Sequence, residues 1–173
     1  MRYLKAIAQD LHGNGHANTV ILHFYQQRVG RPDELIHDIV GSDMSSCARW
    51  TGRSHHDALD LNKSRIASFA DSFLRLNWFN PASHWRRTLV VYVDHFGKKG
   101  RPNSVKFDFR ESTTSGGQAS LVCNAAAYDG DSDGVLETFT NSDVDRNGVA
   151  DNVDKELIRS LGTTFLGLTW YAH

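Results

Sequence analysis

The sequence predicts an α+β fold. It reads as a single domain, residues 1–173, mostly antiparallel sheet packed by one main helix at about 57–78, with an acidic loop insertion (residues 129–162) and a short helix before the last strand. Three observations carry this reading. Short runs rich in β-branched and aromatic residues alternate with Gly, Pro and Asn turn signals. Only residues 57–78 show a long apolar stripe at helical spacing. The chain of 173 residues is 40% hydrophobic and 23% charged with three prolines, which is enough for one real core and unlike a disordered chain.

The elements follow in order. Residues 19–27 (TVILHFYQQ) form a strand, and residues 3–11 pair with it across His12-Gly-Asn-Gly15, whose Asn-Gly is a hairpin signal. A helix starting at residue 3 is the competing reading. Residues 32–41 are ambiguous, and residues 42–54 are polar and loop-like. In the main helix Ile66, Phe69, Ala70, Phe73 and Leu74 share one face, and Asn80-Pro81 ends it. Residues 88–94 (TLVVYVD) are continuously apolar, as in a central strand buried on both faces. Val105, Phe107 and Phe109 alternate with Lys106, Asp108 and Arg110, giving a strand with one wet face. Residues 119–128 form a further strand, and residues 164–171 the closing one.

The insertion is the most specific feature. It reads Asp-Gly-Asp-Ser-Asp-Gly-Val-Leu-Glu from Asp129 and Asp-Val-Asp-Arg-Asn-Gly-Val-Ala-Asp-Asn-Val-Asp from Asp143. Residues 129–154 hold eight acids and one base, Arg146. Carboxylates this dense repel unless a cation sits between them, and Ca²⁺ is the natural ion for several oxygens on a short loop. In a twelve-residue calcium loop, side-chain oxygens come from positions one, three and five, Gly occupies six, seven offers a carbonyl, nine often acts through water and twelve closes the sphere. The second cassette matches throughout with Asp143, Asp145, Asn147, Gly148, Val149, Asp151 and Asp154. The first supplies Asp129, Asp131, Asp133, Gly134, Val135 and Glu137, but Thr140 stands at twelve. Its closing oxygen must come from water or from Asp143 or Asp145, so it is either the weaker site or part of a two-ion cluster. One or two Ca²⁺ ions are expected.

Both cassettes resemble the calcium repeats of bacterial thrombospondin type 3-like and dockerin-like segments, relatives of the EF-hand loop. In the second, the likeness runs into Asp154-Lys-Glu-Leu-Ile-Arg-Ser-Leu-Gly162. That stretch is similar to the exiting helix of a half EF-hand, with Leu157, Ile158 and Leu161 on one face and Gly162 as its stop. A dockerin separates two loop–helix repeats by a linker, whereas here one loop runs almost directly into the next. The resemblance covers residues 129–162 and implies calcium and an extracytoplasmic habit. Residues 1–128 resemble no family.

Other chemistries find less support. The whole chain carries −1 and residues 129–154 carry −7, so the rest carries +6, a modest excess that argues against nucleic acid. No run reaches the length of a membrane span. The first sixteen residues lack the apolar core of a signal peptide, so an extracellular location implies a processed form or another route out, such as transport within a particle. Cys47 and Cys123 are either free thiols or one long-loop disulfide. Nine histidines, His12, His16, His55, His56, His84 and His95 among them, show no zinc spacing. Ser45, Ser46 and Asp94-His95 supply triad types without a nucleophile elbow. Trp50, Trp78, Trp85 and Trp170 suit either core packing or a sugar platform.

The expected function is a calcium-binding structural or assembly protein that self-associates: a subunit of an extracellular filament, surface layer or particle. A calcium-dependent carbohydrate- or protein-binding module is the alternative. An enzyme with a purely structural calcium site is the third reading, and the sequence leans away from it.

Overall fold

The computed structural model describes residues 1–44, 49–54, 62–94 and 103–172. Nine strands form one sheet: β1 (Arg2–Asp10), β2 (Thr19–Gln26), β3 (Glu34–Ser42), β4 (Arg49–Ser54), β5 (Asn80–Pro81), β6 (Arg87–Asp94), β7 (Ser104–Glu111), β8 (Ser120–Tyr128) and β9 (Thr138–Phe139). Two helices accompany it, α1 (Lys63–Leu74) and α2 (Asn152–Gly167), and the chain closes in a short 3-10 turn, Trp170–Ala172. The strand order is β4-β3-β2-β1-β6-β7-β8-β9, with β5 beside β1. All pairings are antiparallel except β1 with β5.

Alternation decides which residues meet the helices. Leu4, Ala6 and Ala8 on β1, Val20, Leu22 and Phe24 on β2, Leu89 and Val91 on β6, and Val105, Phe107 and Phe109 on β7 share one core with Ile66, Phe69 and Phe73 of α1 and Leu157, Ile158, Leu161 and Phe165 of α2. Asn80, fully buried, ties this centre together. Its Nδ2 donates to the carbonyls of Ala8 and Arg87, and its Oδ1 accepts from the N–H groups of Arg86 and Arg87.

The expected α+β fold with one main helix packing a sheet is corrected. The described residues are dominated by one nine-stranded, mostly antiparallel sheet and contain two helices, of which α2 is the longer at 16 residues against 12. The expected helix at 57–78 is Lys63–Leu74, capped by the Asn62 side chain, which accepts from Ser64 N–H. Residues 57–61 of it lie outside the described residues.

The short helix and closing strand at 164–171 are a single helix followed by the 3-10 turn, because the stripe Leu157, Ile158, Leu161, Phe165 keeps helical spacing through Gly162. Gly162 is not a stop. A Cβ there would lie 2.6 Å from Leu136 Cδ1, so its bare backbone lets α2 approach the segment before β9. The acidic loops therefore lie between β8 and α2, with β9 between them, and the expected closing strand is replaced by the end of α2 and the 3-10 turn.

Three smaller expectations also change. Residues 32–41 contain β3, and the loop expected at 42–54 includes β4, paired with β3 from His37–Ser54 to Ser42–Arg49. The run in β6 is not buried on both faces throughout: Leu89 and Val91 are in the core while Val90 and Tyr92 are half-buried. The β1–β2 hairpin and the one-wet-face pattern of β7 are as the sequence implies.

Candidate metal centre

Two groups of three carboxylates can hold a metal ion. Oxygens of Asp129, Asp131 and Glu137 lie within 4.8 Å of one another, and so do those of Asp143, Asp145 and Asp154. Two charges at 4.8 Å repel by about 1 kcal/mol in water and by more as solvent is excluded, so each group favours a cation. Every donor is oxygen. Among the described residues no histidine or cysteine joins either group.

The loops hold these carboxylates by the same backbone device twice. Asp129 accepts from the N–H groups of Asp133 at 3.1 Å and Gly134 at 2.9 Å, and Asp143 from those of Asn147 at 3.1 Å and Gly148 at 2.9 Å. Asp131 accepts from Asp133 N–H and Asp145 from Asn147 N–H. Asp133 accepts from Val135 N–H and Asn147 from Val149 N–H. The fourth and sixth positions are left-handed in both loops: φ is +64° at Ser132 and +98° at Gly134, +61° at Arg146 and +91° at Gly148. This shape turns successive acidic side chains toward one interior, and a glycine at six avoids the steric cost.

The two loops close differently. In the first, Glu137 at position nine joins the group and also accepts from Gly130 N–H. Thr140 is turned away: its hydroxyl accepts from Ala126 N–H at 2.9 Å, binding the segment to β8. Asp143 and Asp145 gather with Asp154, and the third carboxylate beside Asp129 and Asp131 is the first loop's own Glu137. In the second, Asp154 reaches back from α2. It is 1% exposed; Oδ1 accepts from Val144 and Asp145 N–H, and Oδ2 from Asp151 N–H. Asp151 lies outside the group and caps α2, its side chain accepting from Val153 N–H. Asp133 and Asn147 accept from the N–H groups of Val135 and Val149 inside their turns, and Val135 and Val149 have exposed side chains.

Both loops are anchored in the core. Leu136 and Val144 are buried, at 3% and 1% exposure. The Arg146 guanidinium lies 4.9 Å from the centre of the Trp78 ring, and Arg159 Nε donates to the Leu136 carbonyl. The two carboxylate groups thus sit where β8, α2 and the Trp78 end of the core meet.

A third turn of the same make lies in the β1–β2 hairpin, and the sequence reading passed over it as a hairpin signal. Asp10 accepts from Asn14 N–H at 3.2 Å and Gly15 N–H at 2.7 Å, and Asn14 accepts from His16 N–H. Gly13 and Gly15 are left-handed at φ +67° and +83°. Burial pushes the Asp10 carboxyl up, but the N–H groups of Gly15, Asn14, Gly13 and His12 outweigh it and hold the group below the usual carboxylate range. His12 stands where the other loops have Asp131 and Asp145, so this turn carries one carboxylate and gathers no trio. The spacing Asp10 to Asn14-Gly15 was the available signal.

The remaining candidates disperse. Trp78 and Trp170 are core, at 1% and 0% exposure, so the four tryptophans form no common platform. His37 is buried against Phe24 and Trp170. Cys123 is a free, half-buried thiol, raised by burial, and Cys47 lies outside the described residues. Ser45, Ser46, His55, His56 and His95 lie outside them as well. No helix is long and apolar enough to cross a membrane among the described residues. Comparison with protein-family models, curated proteins and solved structures finds no match for this chain.

Proposed function

We propose that this chain is a calcium-binding structural protein, a self-associating subunit of an extracellular filament, surface layer or particle, in which Ca²⁺ rigidifies the segment between β8 and α2 or bridges subunits. The observation that carries the reading is the pair of matched loops, each gathering three carboxylates by the same hydrogen bonds. An all-oxygen donor set on a flexible loop suits a hard cation with a large, adaptable coordination sphere, which favours Ca²⁺ over zinc or copper. Loops of modest charge fill at the calcium concentrations found outside cells.

Support for assembly comes from the sheet edge. β9 pairs with β8 only at Ala127 and Tyr128, leaving the start of β8 at the edge with Leu121 and Val122 50% and 44% exposed. An open apolar edge is a template for strand pairing with another copy.

The test is light scattering after size exclusion, in calcium and in EDTA, beside calorimetric calcium titration. A large species that dissociates in EDTA, and is lost in Val122→Lys, is the expected result. Absence of calcium binding sinks the metal assignment. Binding with an unchanged monomer mass sinks the assembly role and leaves the ion an internal staple.

A further inference from the structure

We propose that the sheet face opposite the helices carries a saccharide-binding cleft between Tyr3 of β1 and Tyr92 of β6. The inference is independent of the calcium loops. Leu4, Ala6, Leu89 and Val91 point to the helices, so Tyr3, Lys5, Val90 and Tyr92 point the other way. Tyr3 and Tyr92 are register partners on adjacent strands, and both line a cleft of about 370 Å³, within the range of small-ligand pockets. Val90, two residues along β6 from Tyr92, lines it as well.

The aromatic surface continues beyond the cleft. Tyr25 stacks on Tyr3 with ring centres 5.0 Å apart and planes 13° from parallel, His23 meets Tyr25 edge-on, and Trp85, 38% exposed, meets His23 at 5.7 Å. These ring contacts form a line from the cleft to the exposed Trp85.

The polar groups of the cleft select the ligand class. Tyr3 Oη donates to Asp33 at 2.7 Å, which fixes the ring, and Arg110 Nη2 donates to Asp108 at 3.0 Å. Gln27 adds an amide. Arg110 Nε is buried without a partner among the described residues, a donor left open for a ligand oxygen. Met1 also lines the cleft, its ammonium donating to the Gln27 carbonyl at 2.8 Å, so Asp33 and Asp108 face two cationic groups; in that balanced field a phosphate backbone meets the carboxylates and an organic cation meets the guanidinium and ammonium, with no net gain for either. A neutral polyol meets neither objection. Its hydroxyls donate to carboxylates and accept from guanidinium and amide groups, while its C–H face packs on tyrosine rings. The charge balance and the ring line therefore commit the cleft to a neutral oligosaccharide.

The test uses the full chain, with cellohexaose, xylohexaose, mannohexaose and maltohexaose titrated calorimetrically in calcium and in EDTA. Binding of at least one is expected in both conditions. Tyr92→Ala is expected to weaken it by about tenfold, the loss of one ring contact of about 1.4 kcal/mol. Tyr3→Phe, which keeps the ring and releases Asp33, is expected to weaken it less. Circular dichroism checks that both variants fold, and should Tyr92→Ala fail to, chemical-shift changes of Tyr3 and Tyr92 in the unaltered protein locate the site. Failure of all four sugars to bind overturns the proposal. So does binding that leaves Tyr3 and Tyr92 unperturbed, or cleft binding of tetramethylammonium or oligothymidylate in their place. Loss of calcium binding with sugar binding intact would overturn only the metal reading.

Discussion

At the residue scale, Asp145 and Asp154 separate ion binding from folding. Asp145 sits on an exposed turn and accepts from Asn147 N–H and from the Asn147 amide, whereas Asp154 is buried and satisfies three backbone N–H groups across Val144, Asp145 and Asp151. Asp154→Asn replaces an acceptor with a donor among those N–H groups. We expect it to cost about 1–3 kcal/mol in EDTA as well as in calcium. Asp145→Asn should stay within about 0.5 kcal/mol of the parent in EDTA and lose the second loop's share of the calcium response. Urea unfolding of both variants, with and without calcium, checks this, and equal losses in EDTA would refute the division. His23 gives the pH counterpart. Burial holds its imidazole pKa down and the Lys5 ammonium adds to this, against a smaller opposing pull from Asp38. The unfolded chain therefore takes up a proton first, so stability present above the ordinary histidine value of about 6.5 declines as pH falls through the lower folded value. His23→Gln should flatten that part of the stability profile, while an unchanged slope would place the acid sensitivity elsewhere.

At the scale of elements, what could be read from the chain depended on how local its physics is. The loops were legible because a twelve-residue cassette carries its own carboxylates, its own Asx turns and its own glycine, so spacing alone points to them. The hairpin turn at Asp10 uses the same backbone geometry with only one acid, and a search keyed on carboxylates at positions one and three misses it. α2 was cut short because Thr163, Thr164, Phe165, Trp170 and Tyr171 favour strands, whereas burial of Leu161, Phe165 and Leu168 with α1 and the sheet decided for helix. β4 was invisible because a polar edge strand, Arg49–Ser54, has little alternation to display. Two glycines now make opposite predictions. Gly148 has open space but φ +91°, so Gly148→Val should cost on the order of 1–2 kcal/mol from backbone strain and weaken calcium binding at the second loop. Gly162 has an ordinary helical backbone but no room, so Gly162→Val should cost about 1–3 kcal/mol by pushing α2 off Leu136, with calcium affinity falling only as far as stability does. Thermal unfolding paired with calcium titration distinguishes strain from overpacking; a Gly162 variant as stable as the parent would remove the close-approach argument.

At the scale of the molecule, the ion groups stand at a seam. The central strands β1, β2, β6 and β7 are held by long ladders and one shared core. The segment from β8 to α2 has instead one two-residue strand, two acidic loops and the buried anchors Leu136 and Val144. Without a cation, each loop must hold three carboxylates together against their own repulsion, and that cost falls on this segment alone. Filling the loops with calcium at a hundred times the dissociation constant would stabilise the folded state by about 2.7 kcal/mol per ion. The gain should appear where the ligands are. We therefore expect calcium to slow amide hydrogen exchange in α2, β9 and the β8 residues they cover. Exchange in β1 and β2 should change only to the extent that it proceeds through global unfolding. Arg146 on the Trp78 ring provides an optical reporter of the same event, since ordering of the second loop alters the surroundings of a buried indole. Exchange mass spectrometry in calcium and in EDTA, read beside tryptophan emission, tests the seam directly. Protection confined to the loop residues, with α2 unmoved, would show that the ion organises its own ligands and leaves the terminal helix to the hydrophobic core.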